Sequence, residues 1–336
     1  MEITATAPNR IDLAGGTTDI YPLYLFMDGG CTVNAAITVN SRVVLRTRDD
    51  RRLIVTSEDM GVTADAAVPD GLPLLGPLGL VGRAVRAVPP PVGVEIVTCN
   101  EAPPGSGLGA SSALLVALLS GLLRLREEEL TPAELIGLAA NIEAAAIGVP
   151  AGSQDHIAAL YGGLSVIDFG YRGFVRQTAG QARDCHQRLE EMIVLSYTGQ
   201  GRFSGMNNWD VTKGFIDDRD GIRDKLFRIR DVAREVWDAL SHGSWAELPV
   251  LVDREWTVRR SLAVGVSTPR TDAIMAAATA AGASANKICG AGGGGCMITF
   301  VEPQKRSAVE EAVASAGGRT IPFKIAAEGL KLEVRG

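Results

Sequence analysis

At 336 residues, 46% hydrophobic and 21% charged, the chain has room for two domains with sizeable cores. A net charge of −6 and a pI near 5.3 lack the basic footprint of a nucleic-acid binder, and the apolar stretch Leu72–Val81 is too short and too broken by Gly and Pro to span a membrane. Five scattered cysteines without CxxC spacing read as reduced thiols of a cytoplasmic protein, three histidines argue against a multi-histidine zinc site, and residues 1–20 lack a signal-peptide pattern.

In chain order, β-branched and alternating runs predict strands at Glu2–Ala7, Val33–Arg48, Leu53–Thr56 and Val92–Thr98, with a helix over Leu78–Val88. A helix at Ser111–Leu125 is apolar on nearly every face and is expected to be buried. Thr131-Pro-Ala-Glu134 is a capping box with Pro at the first helical position, opening a helix that Gly148 and Pro150 close near Ile147. A short helix should follow Asp155, then a strand at Leu164–Asp168. The second half predicts a strand at Met192–Tyr197 and helices over Asp220–Ala239, Ser244–Ala263 and Arg270–Ala281. It continues with strands Lys287–Cys289 and Met297–Val301, a helix Gln304–Ala316, and closing strands Thr320–Ile325 and Leu330–Val334. The alternation argues for two α/β or α+β units, 1–180 and 181–336, with the seam in the polar stretch Gly170–Leu189.

Three glycine clusters carry the chemistry: LAGGTTD at 13–19, PPGSGLGASSA at 103–113 and GAGGGGC at 290–296. In the second, a strand precedes and a buried helix follows. Glycines let the backbone turn tightly, and the helix start then presents free N–H groups and partial positive charge, a geometry that binds phosphate. Pro104, Gly105, Ser106, Gly107, Leu108, Gly109, Ala110, Ser111 and Ser112 are the candidate nucleotide-binding residues, with the two serine hydroxyls in reach of phosphate oxygens or Mg²⁺. An isolated Gly/Ser turn more often only caps a helix. A Walker loop fits poorly without a Lys-Ser/Thr pair, and so does a forced Gly105-x-Gly107-x-x-Ala110 dinucleotide fingerprint, since Glu127–Glu129 at the expected distance lie in a link between two helices.

Together and in this order, APNRIDLAGGTTDI, PPGSGLGASSA and KICGAGGGGCMI resemble the three motifs of the GHMP kinase family, over residues 1–300. The resemblance implies an N-terminal ribosomal S5 domain 2-like unit, a ferredoxin-like C-terminal unit and ATP between them, with Mg²⁺ as its cation; monomer and homodimer both stay open. AGGTTD, GSQDHIAALYGG and YTGQGRFSG resemble most the sugar-1-kinase and D-glycero-D-manno-heptose phosphate kinase subgroup, with Asp12 in place of a common Ser, Thr17 of a Gly and His156 of a Gln.

The resemblance implies Asp155 as general base and Arg10 as the cation steadying the reacting oxygen and γ-phosphate. It implies Ser111 and Glu143 as Mg²⁺ ligands, a set sufficient for a cation that keeps phosphate and water ligands. Asp19, Gly16, Thr18, Tyr197, Arg202 and Gly292 are the implied substrate contacts. Without the resemblance, Asp155 reads as a helix N-cap, Asp19 as a turn aspartate, and Arg10 and Glu143 as solvated charges. Gly16 stands where galactokinases carry a sugar-binding Glu, which argues against galactose. The expected activity is ATP-dependent phosphorylation of a hydroxyl, the anomeric one, of a small sugar or sugar phosphate. A kinase of another alcohol such as mevalonate, and an inactive sugar- and ATP-sensing regulator, stay open as alternatives.

Overall fold

The computed structural model describes residues 1–178, 183–201 and 205–336. The first half runs β1 (Glu2–Ala14), α1 (Leu23–Phe26), β2 (Gly30–Arg48), β3 (Leu53–Ser57), β4 (Val62–Ala66), α2 (Gly79–Ala87), β5 (Gly93–Asn100), α3 (Ala110–Leu125), α4 (Pro132–Ile147), α5 (Gln154–Tyr161), β6 (Leu164–Gly170) and β7 (Gly173–Thr178). The second runs α6 (Arg183–Met192), β8 (Ile193–Tyr197), α7 (Gly205–Asp217), α8 (Ile222–His242), α9 (Leu248–Arg259), α10 (Pro269–Ala280), β9 (Ala285–Ile288), β10 (Cys296–Phe300), α11 (Arg306–Ser315), β11 (Arg319–Thr320) and β12 (Lys331–Arg335). No helix among the described residues is long and apolar enough to cross a membrane.

The larger sheet has the order β12-β1-β2-β5-β3-β4, and β2 also pairs β6, which pairs β7. Long β2 makes this possible: its first part, from Gly30 to Ala35, pairs β6, and its second, from Ser41 to Arg48, pairs β5. Apolar residues of α3 (Leu115, Leu118, Leu119, Leu122) pack with sheet residues Ile3, Val43, Leu45 and Ile96 in one core. That packing is why α3 carries apolar residues all round. The smaller sheet is antiparallel, in the order β11-β8-β10-β9. A second core runs from Leu13 and Val33 of the larger sheet through Val236 of α8 to Leu195 and Ile298 of the smaller, so the two sheets share buried surface.

The capping box forms as expected: Thr131 Oγ1 accepts the Glu134 N–H at 3.3 Å, and Glu134 Oε2 accepts the Thr131 N–H at 2.8 Å. Several expectations are corrected. β1 does not end at Ala7: it passes a register shift between Pro8 and Asn9 and continues to Ala14, so Arg10 lies within the strand and is buried. Of the expected strand Thr320–Ile325, only Thr320 falls in a regular strand, Arg319–Thr320; Pro322 has no N–H to give, and the segment crosses back toward β2, where Ile325 bridges Ile37. β12 then pairs β1, so the last strand lies in the first sheet, across a division at 180.

Candidate active site

β1, the α3 start, the α5 start and the loop 290–295 meet at an open cavity of about 180 Å³. Arg10 is the hub. Its backbone N–H donates to Leu108 O at 2.9 Å and its Nη1 to Gly107 O at 2.6 Å, while Nη2 lies 2.6 Å from Asp155 Oδ1. The strand thus fixes the glycine loop and the acidic side chain through one residue. Asp155 is the second residue of α5. The N-cap position is Ser153, whose side chain makes no cap bond, so the reading of Asp155 as a cap is corrected. Its side chain is 22% exposed and lines the cavity. Burial lifts its carboxyl above the ordinary range; the Arg10 guanidinium opposes this and Glu143 reinforces it.

The glycine loop needs its glycines. Gly107 and Gly109 both have positive φ, 71° and 77°. A Cβ on Gly107 would stand 2.5 Å from Cys289 O, and one on Gly109 would stand 3.0 Å from three atoms of the Asp155 side chain. The loop 290–295 backs it: Cys296 N–H donates to Ser106 O at 2.6 Å. Behind the loop, α3 and α4 face each other, and Ser112 Oγ donates to Glu143 Oε2 at 2.7 Å. The hydroxyl in contact with Glu143 is therefore that of Ser112, not Ser111. Ser111 is exposed and lines the cavity, as does Glu143. His156 Nε2 lies 3.2 Å from Glu143 Oε2. Burial would raise the Glu143 carboxyl, but His156, Ser112 and Arg10 outweigh it and hold it below the usual range. A hydroxyl and an anionic carboxylate on facing helices, at the edge of an open cavity, fit a Mg²⁺ ion that keeps phosphate oxygens and water as its other ligands.

Asp19 is buried and accepts the Gln154 N–H at 3.0 Å on Oδ2. Burial, with the Asp155 charge next in weight, pushes its pKa up to about 6. Gly16 and Gly292 line the cavity too. Thr18 does not: its Oγ1 donates to Gly15 O and Cys31 O and accepts the Cys31 N–H, so it shapes the turn from within. Tyr197 sits in β8 opposite Cys296, and Pro104, Leu108 and Ser112 lie outside the lining; Arg202 falls outside the described residues. The sequence reading missed Thr17, Gln154, Asn208 and Cys289, which join the wall. The first two flank residues that the motifs singled out, but nothing in the local sequence marks Asn208.

The fold and this centre define a small-molecule kinase. A family model described as "GHMP kinases N terminal domain" matches residues 79–163, and one described as "GHMP kinases C terminal" matches 238–319. The D-glycero-alpha-D-manno-heptose 7-phosphate kinase of Campylobacter jejuni is 28% identical over 335 residues, covering 98% of both chains. The mevalonate kinase of Thermococcus onnurineus is 30% identical over 245 residues, 72% of this chain and 69% of its own. Among solved structures, a D-glycero-D-manno-heptose 1-phosphate kinase from Bacteroides thetaiotaomicron superposes with a TM-score of 0.80 at 25% identity, over 99% of each chain. The chain belongs to the GHMP kinase family, and kinases of this family use ATP.

Proposed function

We propose that this protein transfers the γ-phosphoryl group of Mg²⁺-ATP to a hydroxyl of a small sugar or sugar phosphate, with Asp155 as general base. The observation that carries the reading is the Arg10–Asp155 contact at 2.6 Å, placed directly against the glycine loop through the Arg10 bond to Gly107 O. The free N–H groups at the α3 start suit phosphate. Asp155 accepts the acceptor's hydroxyl proton as its oxygen bonds to phosphorus and ADP leaves; a carboxyl lifted above its ordinary range is a better-matched base than a free one. Arg10 steadies the charge that develops on the transferring group. Mg²⁺ would neutralise phosphate charge, held by Glu143 and Ser112 or Ser111. Asp19, buried on the same wall, would accept a hydrogen bond from an acceptor hydroxyl.

Support for a sugar comes from the likeness to a heptose 7-phosphate kinase and a heptose 1-phosphate kinase; coverage does not separate the two readings, because a mevalonate kinase of Thermococcus sibiricus is 29% identical over 99% of both chains. The Thermococcus relative at 30% identity supports a second reading, phosphorylation of mevalonate. A coupled ADP-release screen against free and phosphorylated hexoses and heptoses, mevalonate and homoserine decides between them. Turnover of a heptose phosphate is the expected result, and turnover of mevalonate alone overturns the sugar reading.

A further inference from the structure

Beside the cavity lies a cluster of four charges, Asp12, Lys287, Glu255 and Arg259, none more than 2% exposed. Lys287 Nζ lies 2.8 Å from Asp12 Oδ2 and 4.0 Å from Glu255 Oε2, and donates to Asp12 O at 3.0 Å. Glu255 Oε1 accepts from Arg259 Nε at 2.9 Å, from Arg259 Nη2 at 2.5 Å and from the Gly15 N–H at 3.1 Å. Arg259 Nη2 also donates to Gly16 O at 2.6 Å, and its Nη1 to Thr17 Oγ1 at 3.1 Å. Apolar side chains of similar volume would fill this space without the desolvation that buried charges carry. What charges add is direction, and here Arg259 Nη1 and Nη2 donate to Thr17 and Gly16 while Glu255 Oε1 accepts the Gly15 N–H, so three consecutive residues, 15–17, are held by one ion pair. Asp12 carries its charge there: burial opposes ionisation, but Lys287, Arg259 and Arg10 outweigh it and hold its carboxyl below the ordinary range.

That segment is strained. Thr17 has a φ of 77°, a left-handed backbone that a β-branched residue adopts only when its surroundings impose it. Gly16 and Thr17 line the cavity. The turn they begin joins the acidic side of the site, through the Ile20–Gly152 bridge and the Gln154 N–H on Asp19, whereas the glycine loop is tied to 289–296. We propose that Arg259, keyed by Glu255, Lys287 and Asp12, is a positioning residue for the acceptor. It reaches from α9 of the second half to hold the Gly16–Thr17 wall of the cavity in a shape the backbone would not keep by itself.

The proposal rests on the kinase reading of the cavity, and its test separates the two. Arg259→Lys keeps a charge beside Glu255 but cannot reach both Gly16 O and Thr17 Oγ1. With heptose 7-phosphate as acceptor, its KM should rise by about tenfold or more while the KM for ATP stays within about twofold. Amide exchange over residues 15–18, measured without acceptor, should quicken while that over 105–109 is unchanged. In a Thr17→Gly background, where the positive φ carries no strain, Arg259→Lys should add less than about twofold. Thr17→Val, which keeps the fold's charges and deletes only the Arg259 contact, should quicken the same amides. Equal rises in both KM values, full additivity with Thr17→Gly, or unaltered exchange at 15–18 in both single variants would overturn the proposal. If the parent turns over no sugar at all, the sugar reading falls, and the exchange data still decide whether Arg259 holds the segment.

Discussion

Asp155→Asn separates a catalytic carboxylate from a structural one in a single variant. If the Arg10–Asp155 pair were chiefly a buried strut, removing one charge would cost about 3–5 kcal/mol and, for a chain of this size, on the order of 10 °C in Tm. The surroundings argue otherwise. The Asp155 carboxyl is lifted, so folding disfavours its anion: burial and the neighbouring Glu143 outweigh the Arg10 attraction. Asparagine sheds that burden while Arg10 keeps its bond to Gly107 O and the nearby Asp12 charge. Stability at pH 8 should therefore change by no more than about 1 kcal/mol in either direction. Turnover should fall by about 10²–10⁴-fold, or roughly 3–5 kcal/mol of barrier, because asparagine cannot take the acceptor's proton. Coupled ADP release at saturating ATP and acceptor, beside thermal melts at pH 8, measures both. Near-parental kcat, or a large loss of Tm that explains the lost rate, would refute the reasoning.

Gly109→Val should abolish ATP binding in a folded protein, since its side chain would crowd Asp155 and the N–H groups of the α3 start; parental ATP affinity by calorimetry would count against the loop as a phosphate site. Ser112→Ala should raise the Mg²⁺ concentration for half-maximal rate by about tenfold and more than Ser111→Ala does, because Ser112 is the hydroxyl on Glu143; the reverse order would move the cation site toward the cavity mouth. Asp19 binds its proton more tightly when folded, at about 6 against 3.8, so its contribution to stability is fully present below pH 3.8 and lost as pH rises through about 6. Asp19→Asn should thus gain on the parent between pH 4 and pH 7, by at most on the order of 3 kcal/mol, and urea melts giving a pH-independent difference would contradict this.

The glycine clusters were readable because every glycine in them but Gly16 takes a positive φ; Gly16 instead makes room for the Asp12 and Gln154 side chains. The α4 boundaries were readable because cap and stop act within four residues. Legibility failed where the decisive partner is remote. Pro8 and Asn9 look like the end of a strand, yet β2 absorbs the irregularity as a register shift and carries Arg10 into the interior. The choice between Ser111 and Ser112 depended on α3 starting at Ala110, which sets the face turned toward α4. Asp12 and Lys287 stand 275 positions apart, and Arg259 reaches Gly16 across 243; no periodicity or spacing connects them, only the shared core between the two sheets.

The pairing of β12 with β1 sets the order in which the larger sheet can close during synthesis. Glu2 lies opposite Arg335, so the outer border of the first sheet stays unpaired until some three hundred further residues have been translated. During that interval β1 offers its open hydrogen-bonding edge to any extended chain that passes. The strand that eventually seals it is wholly exposed and alternates Lys331, Glu333 and Arg335 with Leu332 and Val334. The finished border is therefore rich in charge of both signs, a poor template for the next strand. Without Lys331–Arg335 the β1 edge would stay open in the folded molecule as well.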